Sequence, residues 1–137
     1  MIVVDTNIIF SALVSKNSSI FDLLTSKNEH FIIPKFVIVE LFKHKDKIRK
    51  FSKHSDEEML SVLYVLLKNI DIYNEELISK ESLKDGYEIV KDVDEKDMIF
   101  VALAIELDCK LWSGDKRLKT RIETLGRESM LYKRYDV

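Results

Sequence analysis

At 137 residues, 46% of them hydrophobic and with only 3 glycines and 1 proline, the chain is long enough for one core and holds no linker, repeat or low-complexity tract. A single domain over residues 1–137 is expected. Lys and Arg number 22 against 24 Asp and Glu, a net charge of -2, which excludes nucleic-acid binding through a global positive field and leaves that role to local basic stretches. The one cysteine, Cys109, excludes an intramolecular disulfide, and its neighbours Leu107, Leu111 and Trp112 predict a buried apolar thiol. The longest wholly apolar run, Met98 to Ile105, is too short to span a bilayer, and the amino terminus has no signal-like pattern, so a cytoplasmic protein without a membrane partner is expected.

Met1-Ile2-Val3-Val4 leads straight into Asp5-Thr6-Asn7, the pattern of a short buried strand, Ile2 to Val4, that ends on an acid. A helix through Ile8 to Val14 follows, then another from Ser18 to Ser26 with Ser18 or Ser19 as its cap. Phe31 to Ile33 reads as the second strand. Pro34 suits the first turn of a helix that includes Phe36 to Lys47, where a missing N–H costs nothing. Ser55-Asp56-Glu57-Glu58 marks an acidic helix start, continued at helical spacing by Met59, Val62, Leu63, Leu66 and Leu67. Ile70 to Tyr73 is the third strand. A helix lies between Glu75 and Val90, weakened in its middle by Gly86, and Asp94 to Leu107 is the clearest helix of the chain. Lys110 to Ser113 is a last short strand, and Ser113-Gly114-Asp115 opens a helix from Asp115 to Leu125 that Gly126 stops. Strands alternating with helices predict an α/β fold, a three-layer α/β/α sandwich around a central parallel sheet, whose carboxyl edge carries Asp5 and Asp115.

Two further sets of acids stand out. Glu40 lies inside Phe36-Val37-Ile38-Val39-Glu40-Leu41-Phe42, where nearly every neighbour is apolar, and Asp94 and Asp97 open the most apolar helix. Helix capping accounts for Asp5, Asp94, Asp97 and Asp115 taken one at a time. It does not account for acids at the ends of two strands with more acids on two helices. Clustered carboxylates need a counter-charge, which a hard divalent cation such as Mg²⁺ or Mn²⁺ supplies through oxygen ligands. His30, His44 and His54 show no ligand-type spacing, which argues against zinc. Two basic stretches, Lys43 to Lys53 and Lys116 to Arg121, each read first as a solvated helix face or a favourable helix end. Beside an acidic metal site they suit phosphodiester hydrolysis, with the cation activating water and lysines holding flanking phosphates. Trp112 reads as core, and Tyr132 and Tyr135, with Lys133 and Arg134, as either a stacking surface or a terminal strand.

Val3-Val4-Asp5-Thr6-Asn7, Ile33-Pro34 through Val39-Glu40, Asp94-Glu95-Lys96-Asp97 with Val101-Ala102-Leu103-Ala104, and Leu111-Trp112-Ser113-Gly114-Asp115-Lys116-Arg117-Leu118 follow one another in the order and spacing of a known set of acidic blocks. Over nearly its whole length the chain resembles the PIN domain family, a metal-dependent ribonuclease fold. The resemblance implies that Asp5, Glu40, Asp97 and Asp115 are catalytic, metal-binding acids, with Asp94 as an outer or accessory ligand. Thr6, Asn7 and Ser113 are implied as supporting residues whose hydroxyl or amide groups hold Asp5 and Asp115. Ser113 stands where many relatives carry threonine. The implied activity is endoribonuclease, by in-line attack of a metal-activated water on RNA that leaves a 3′-hydroxyl and a 5′-phosphate, with one or two Mg²⁺ or Mn²⁺ ions. Lys43, Lys45, Lys47, Lys116 and Arg117 are the RNA-binding candidates.

The resemblance covers both the toxin of a toxin–antitoxin pair, whose partner is an antitoxin protein, and a housekeeping RNA-processing enzyme. It also brings homodimers into view, for which the apolar positions Leu60, Leu63, Tyr64 and Leu67 are candidates, although the same positions suit a core. Two other classes compete. A haloacid dehalogenase-type phosphatase needs a second Asp two residues after the first, where this chain has Asn7. A catalytically idle PIN-like module that binds RNA or protein has no need for a set of mutually repelling carboxylates.

Overall fold

Strands β1 (Ile2–Val4) and β2 (Phe31–Pro34) are buried at every residue, whereas β3 (Ile70–Tyr73) is buried only at Ile70 and β4 (Lys110–Trp112) at Leu111 and Trp112. Together they form an all-parallel sheet in the order β3-β2-β1-β4, with Ile2 opposite both Phe31 and Lys110. Strands covered on both faces cannot alternate polar with apolar residues, so the two central ones appear in the sequence as unbroken apolar runs. The computed structural model describes residues 1–15 and 19–133. The expected cap at Ser18, and Arg134 and Tyr135, lie outside the described residues.

Five helices fill the connections from β1 to β2 and β3: α1 (Thr6–Val14), α2 (Ser19–Thr25), α3 (Phe36–Lys43), α4 (Lys45–Phe51) and α5 (Asp56–Asn69). The return to β4 carries α6 (Lys80–Val90) and α7 (Met98–Glu106), and α8 (Lys116–Thr124) follows β4. The strand order reverses at β1, so right-handed crossovers put α1 and its neighbours on one face and α6 with α7 on the other. The result is a three-layer α/β/α arrangement. Its topological switch point lies between the carboxyl ends of β1 and β4, where open α/β sheets form their ligand crevice. Among the described residues no single helix is long and apolar enough to cross a membrane.

Local chemistry accounts for the departures from the predicted elements. Pro34 closes β2 instead of opening a helix: the β1 ladder has stopped at Ile32, so no donor is missed on that side, and Lys35 carries the next bond, its N–H donating to the Tyr73 carbonyl at 2.8 Å. The predicted helix through Lys47 is two helices, because His44 leaves helical dihedrals (φ -103, ψ 20) between α3 and α4. Ser55 begins α5 with a reciprocal capping box to Glu58. A 3₁₀ turn over Glu95–Asp97 replaces the first turn of the predicted Asp94 helix. Gly86 is no weak point. A Cβ there would stand 3.0 Å from both the Cβ and the backbone nitrogen of Ala102, so the missing side chain lets α6 and α7 approach closely.

The carboxyl terminus extends the sheet beyond β4. Leu131 bridges Leu111 in parallel, and the Tyr132 N–H donates to the Leu111 carbonyl at 2.8 Å. Tyr132 packs against Trp112 and Phe31, with ring centroids 5.3 and 6.5 Å apart, so Trp112 and Tyr132 belong to the core and not to a stacking surface. Cys109 is half-buried, not fully buried as expected, because it lies in the turn ahead of β4; burial still pushes its thiol above the usual range.

Candidate active site

The carboxyl ends of β1 and β4 open into a polar cleft of about 170 Å³. Asp5, Glu40, Asp94, Asp97 and Asp115 line it, together with Thr6, Asn7, Lys96 and Phe100. The acids come from four separate places in the chain, and local backbone N–H groups fix three of them, Asp5, Asp94 and Asp115.

Asp5 is the N-cap of α1, with Oδ1 accepting the Ile8 N–H at 3.0 Å, while its own N–H donates to the Trp112 carbonyl at 3.2 Å and ties it to β4. Only 5% exposed, its carboxyl is pushed above the usual range by burial, against the opposing hydrogen bonds from the Ser113 hydroxyl and the Ile8 and Gly114 N–H groups; Asp115 adds to the rise. Asp115 caps α8, its Oδ1 accepting the N–H groups of Arg117 at 2.9 Å and Leu118 at 3.2 Å. Ser113 joins the two: it donates to Asp5 and its oxygen accepts the Asp115 N–H at 3.0 Å. Asp94 caps the 3₁₀ turn, accepting the Lys96 N–H at 3.0 Å. Capping and membership of the cleft are therefore compatible, since for both Asp94 and Asp115 the cap bonds engage Oδ1.

Asp97 is the one aspartate of the cleft that capping does not explain. It sits at the start of α7 with no side-chain cap bond, and its Oδ2 is buried without a hydrogen-bond partner among the described residues. Burial, then the charges of Asp115, Asp94 and Asp5 and a hydrogen bond to Asp115, raise its carboxyl from 3.8 to about 7. Glu40 reaches the cleft from α3. The Thr6 hydroxyl donates to Glu40 Oε1 at 3.0 Å, so Thr6 supports Glu40 and not Asp5 or Asp115, as the resemblance had implied. Asn7 is exposed at the cleft, with no hydrogen bond to Asp5 or Asp115 among the described residues.

A divalent cation fits this donor set. Every acid offers oxygen, and the unpartnered Asp97 Oδ2 is a buried acceptor without a donor. Among the described residues no three or more His, Cys, Asp or Glu converge into a ready-made cage; the acids ring the cleft instead. Mg²⁺ does not require a cage, because it keeps several waters and takes only one or two carboxylates directly.

The sequence model described as PIN domain matches residues 3–133. The chain belongs to the PIN domain family. Its fold is shared with the crystal structure of VapBC2 from Rickettsia felis bound to a DNA fragment from their promoter: the two are 22% identical with a TM-score of 0.65, over 88% of this chain and 92% of that one. No curated protein matches the chain. PIN domains are generally nucleases and typically use divalent metals. Family membership removes the phosphatase reading, which Asn7 already opposed.

The basic candidates of this PIN domain lie outside the cleft. Lys43, Lys45 and Lys47 are exposed; Lys45 Nζ stands 4.4 Å from the centroid of the Phe42 ring, and Lys47 Nζ 5.9 Å from that of Phe10. Lys116 and Arg117 are exposed in the first turn of α8 and line a shallow hollow with Asp92 and Val93. Arg121 is engaged elsewhere, donating to the Ile89 carbonyl at 3.1 Å and pairing with Asp92 at 3.4 Å, so it fastens α8 to α6. Sequence reasoning missed Lys96 and Phe100. Lys96 was passed over as a spacer inside an acidic motif, and Phe100 reads as core, which it also is: its ring packs on Phe36 with centroids 5.3 Å apart. His30, His44 and His54 do not line the cleft.

Proposed function

We propose that this PIN domain is a metal-dependent endoribonuclease that hydrolyses RNA phosphodiester bonds in the acidic cleft. Asp5, Glu40, Asp97 and Asp115 would hold one or two Mg²⁺ or Mn²⁺ ions, with Asp94 as the accessory acid. When bound, the cation activates water and offsets charge on the attacking and leaving oxygens. The chain's own residues do the positioning. Ser113 keeps Asp5 and Asp115 in one frame, Thr6 holds Glu40, and the cap bonds at Asp5 and Asp115 fix the backbone on either side of the switch point. Exposed Lys43, Lys45 and Lys47, with Lys116 and Arg117, serve phosphates that flank the cleft. The observation that carries this reading is Asp97: a carboxylate among four other acids, with a buried oxygen that no donor among the described residues satisfies.

The toxin of a toxin–antitoxin pair is the favoured form, for two reasons. The fold neighbour is a toxin–antitoxin complex, and an apolar groove of about 380 Å³ lies uncovered between α3, α4 and α5, lined by Ile38, Leu41, Phe42, Met59, Leu60 and Leu63. An apolar segment of an antitoxin would fill it; a second copy of this chain is the other outcome that light scattering distinguishes. Such a protein acts on RNA in the cytoplasm.

Cleavage of end-labelled single-stranded RNA with Mn²⁺, Mg²⁺ or EDTA tests the activity. Wild type is expected to cut only with metal, and Asp5→Asn and Asp97→Asn are expected to be silent. Cutting that persists in EDTA or in both variants would refute the site.

A further inference from the structure

Among the described residues, Lys96 is the one cationic side chain that lines the acidic cleft. Its backbone is fixed: the Lys96 N–H donates to Asp94 Oδ1 at 3.0 Å, and the next N–H, that of Asp97, donates to the Asp94 carbonyl at 3.1 Å. The side chain, by contrast, is exposed, and Lys96 enters no ion pair among the described residues despite five acids around the same cleft. An ammonium left over in this way is not spent on neutralising the carboxylates. Its neighbours create a demand for it, since a nucleic-acid strand brings one negative charge per phosphate toward a ring of carboxylates that repel it. A bound cation relieves the repulsion only at the reacting phosphate, and Lys43, Lys45, Lys47, Lys116 and Arg117 all lie outside the cleft lining. A lysine ammonium, a compact charge with three donors on a flexible stem, is suited to gripping non-bridging phosphate oxygens of a mobile strand.

We propose that Lys96 is the substrate-gripping residue of this site, holding a phosphate of the RNA strand at the cleft next to the one that is cut. The assignment rests on the nuclease reading above. It adds to the metal-binding acids a residue of opposite charge, set by a 3₁₀ turn between two of them.

The test is steady-state cleavage of a single-stranded RNA with Mn²⁺ by wild type, Lys96→Met and Lys96→Arg over a range of KCl, with Mn²⁺-dependent melting measured on each. Lys96→Met is expected to raise KM about tenfold or more with a smaller change in kcat, as loss of one charged hydrogen bond implies. It should also flatten the dependence of log(kcat/KM) on log[KCl] by about 0.7, the contribution of one single-strand phosphate contact. Lys96→Arg should restore both, and the melting shift with Mn²⁺ should match wild type in every variant. Cutting by wild type with unchanged KM and salt slope in Lys96→Met would overturn this assignment alone. So would loss of the Mn²⁺ shift in Lys96→Met, which would make Lys96 a support for the acids. A wild type that neither binds nor cuts RNA would take down the nuclease reading first and this assignment with it.

Discussion

Two hollows in this molecule differ in almost every physical respect. The cleft at the switch point is small and polar, and three of its acids, Asp5, Asp94 and Asp115, are held by cap bonds. The groove between α3, α4 and α5 is larger and almost wholly apolar, with Phe42 69% and Leu60 63% exposed beside it. Burying like charges is unfavourable unless a ligand offsets them, and leaving large apolar side chains in water is unfavourable unless something covers them. On the proposed function, a cation with a polyanion would offset the first hollow and an apolar protein surface would cover the second. On that reading, the difference teaches that stability is given up at two places for two separate binding events.

The largest effect is expected at the cleft. Asp97→Asn should lower RNA cleavage by roughly 10²-fold or more, as removal of a group that organises a catalytic charge does, and should abolish the rise in melting temperature with Mn²⁺. A variant that keeps both would break the contrast between the hollows. Next comes Leu60→Asp in the groove. It should leave cleavage unchanged and shift stability by no more than about 0.5 kcal/mol, because the side chain is exposed, while it weakens a bound antitoxin or second copy by about 2 kcal/mol. Size-exclusion light scattering, with and without a co-expressed partner, measures this. Altered cleavage with intact association would mean that the two hollows are not independent.

Gly86→Ala tests the scaffold behind the cleft. The new Cβ meets the Cβ and backbone of Ala102, none of which is the free end of a flexible side chain, so overpacking of about 1–3 kcal/mol should exceed the gain of about 1 kcal/mol in helix propensity and lower the urea midpoint. An unchanged or raised midpoint would mean that the α6–α7 contact yields easily.

The pH dependence follows from Asp97. Its carboxyl titrates near 3.8 in the open chain and at about 7 in the metal-free fold, so between those values the fold binds a proton that the unfolded chain does not. The resulting penalty is absent below 3.8, grows as pH rises and is complete above about 7, so metal-free stability should fall across that window. The same proton competes with a cation, so Mn²⁺ affinity should strengthen as pH rises through about 7. Asp97→Asn should reduce the stability slope and leave the part that comes from Asp5, whose carboxyl is also raised, and an unchanged slope would move the titration to another group. The smallest effect is expected for Thr6→Val, which removes the 3.0 Å bond to Glu40 and should cost about 1 kcal/mol in thermal unfolding with a several-fold loss of cleavage.

The fold was largely legible because its signals are local. Ile2–Val4 and Phe31–Ile33 are unbroken apolar runs, Ile70–Tyr73 alternates around Asp71 between two asparagines, and Ser55 with Glu58 states a helix start outright. Where several local signals compete, reading failed: Pro34 suits a strand end as well as a helix start, and nothing in Lys43-His44-Lys45 announces the break at His44. The five acids of the cleft stood out because carboxylates beside apolar runs need a reason. Their supports did not, since the Thr6–Glu40 bond joins residues 34 apart and depends on how α1 meets α3. Lys96 reads as one more surface lysine until the 3₁₀ turn shows which way it lies. The apolar positions Leu60, Leu63 and Leu67 were visible as a helical face, but periodicity says only that a face is apolar and not whether this chain covers it.

The most direct test of the acidic cleft is diffraction from crystals soaked in Mn²⁺, collected at the manganese absorption edge. The result expected is an anomalous peak within coordinating distance of Asp97 and of Asp5 or Asp115, absent from Asp97→Asn crystals. A saturating soak with no peak there, or with manganese only at surface carboxylates such as Asp56 or Glu88, would contradict the reading of these residues as a metal site.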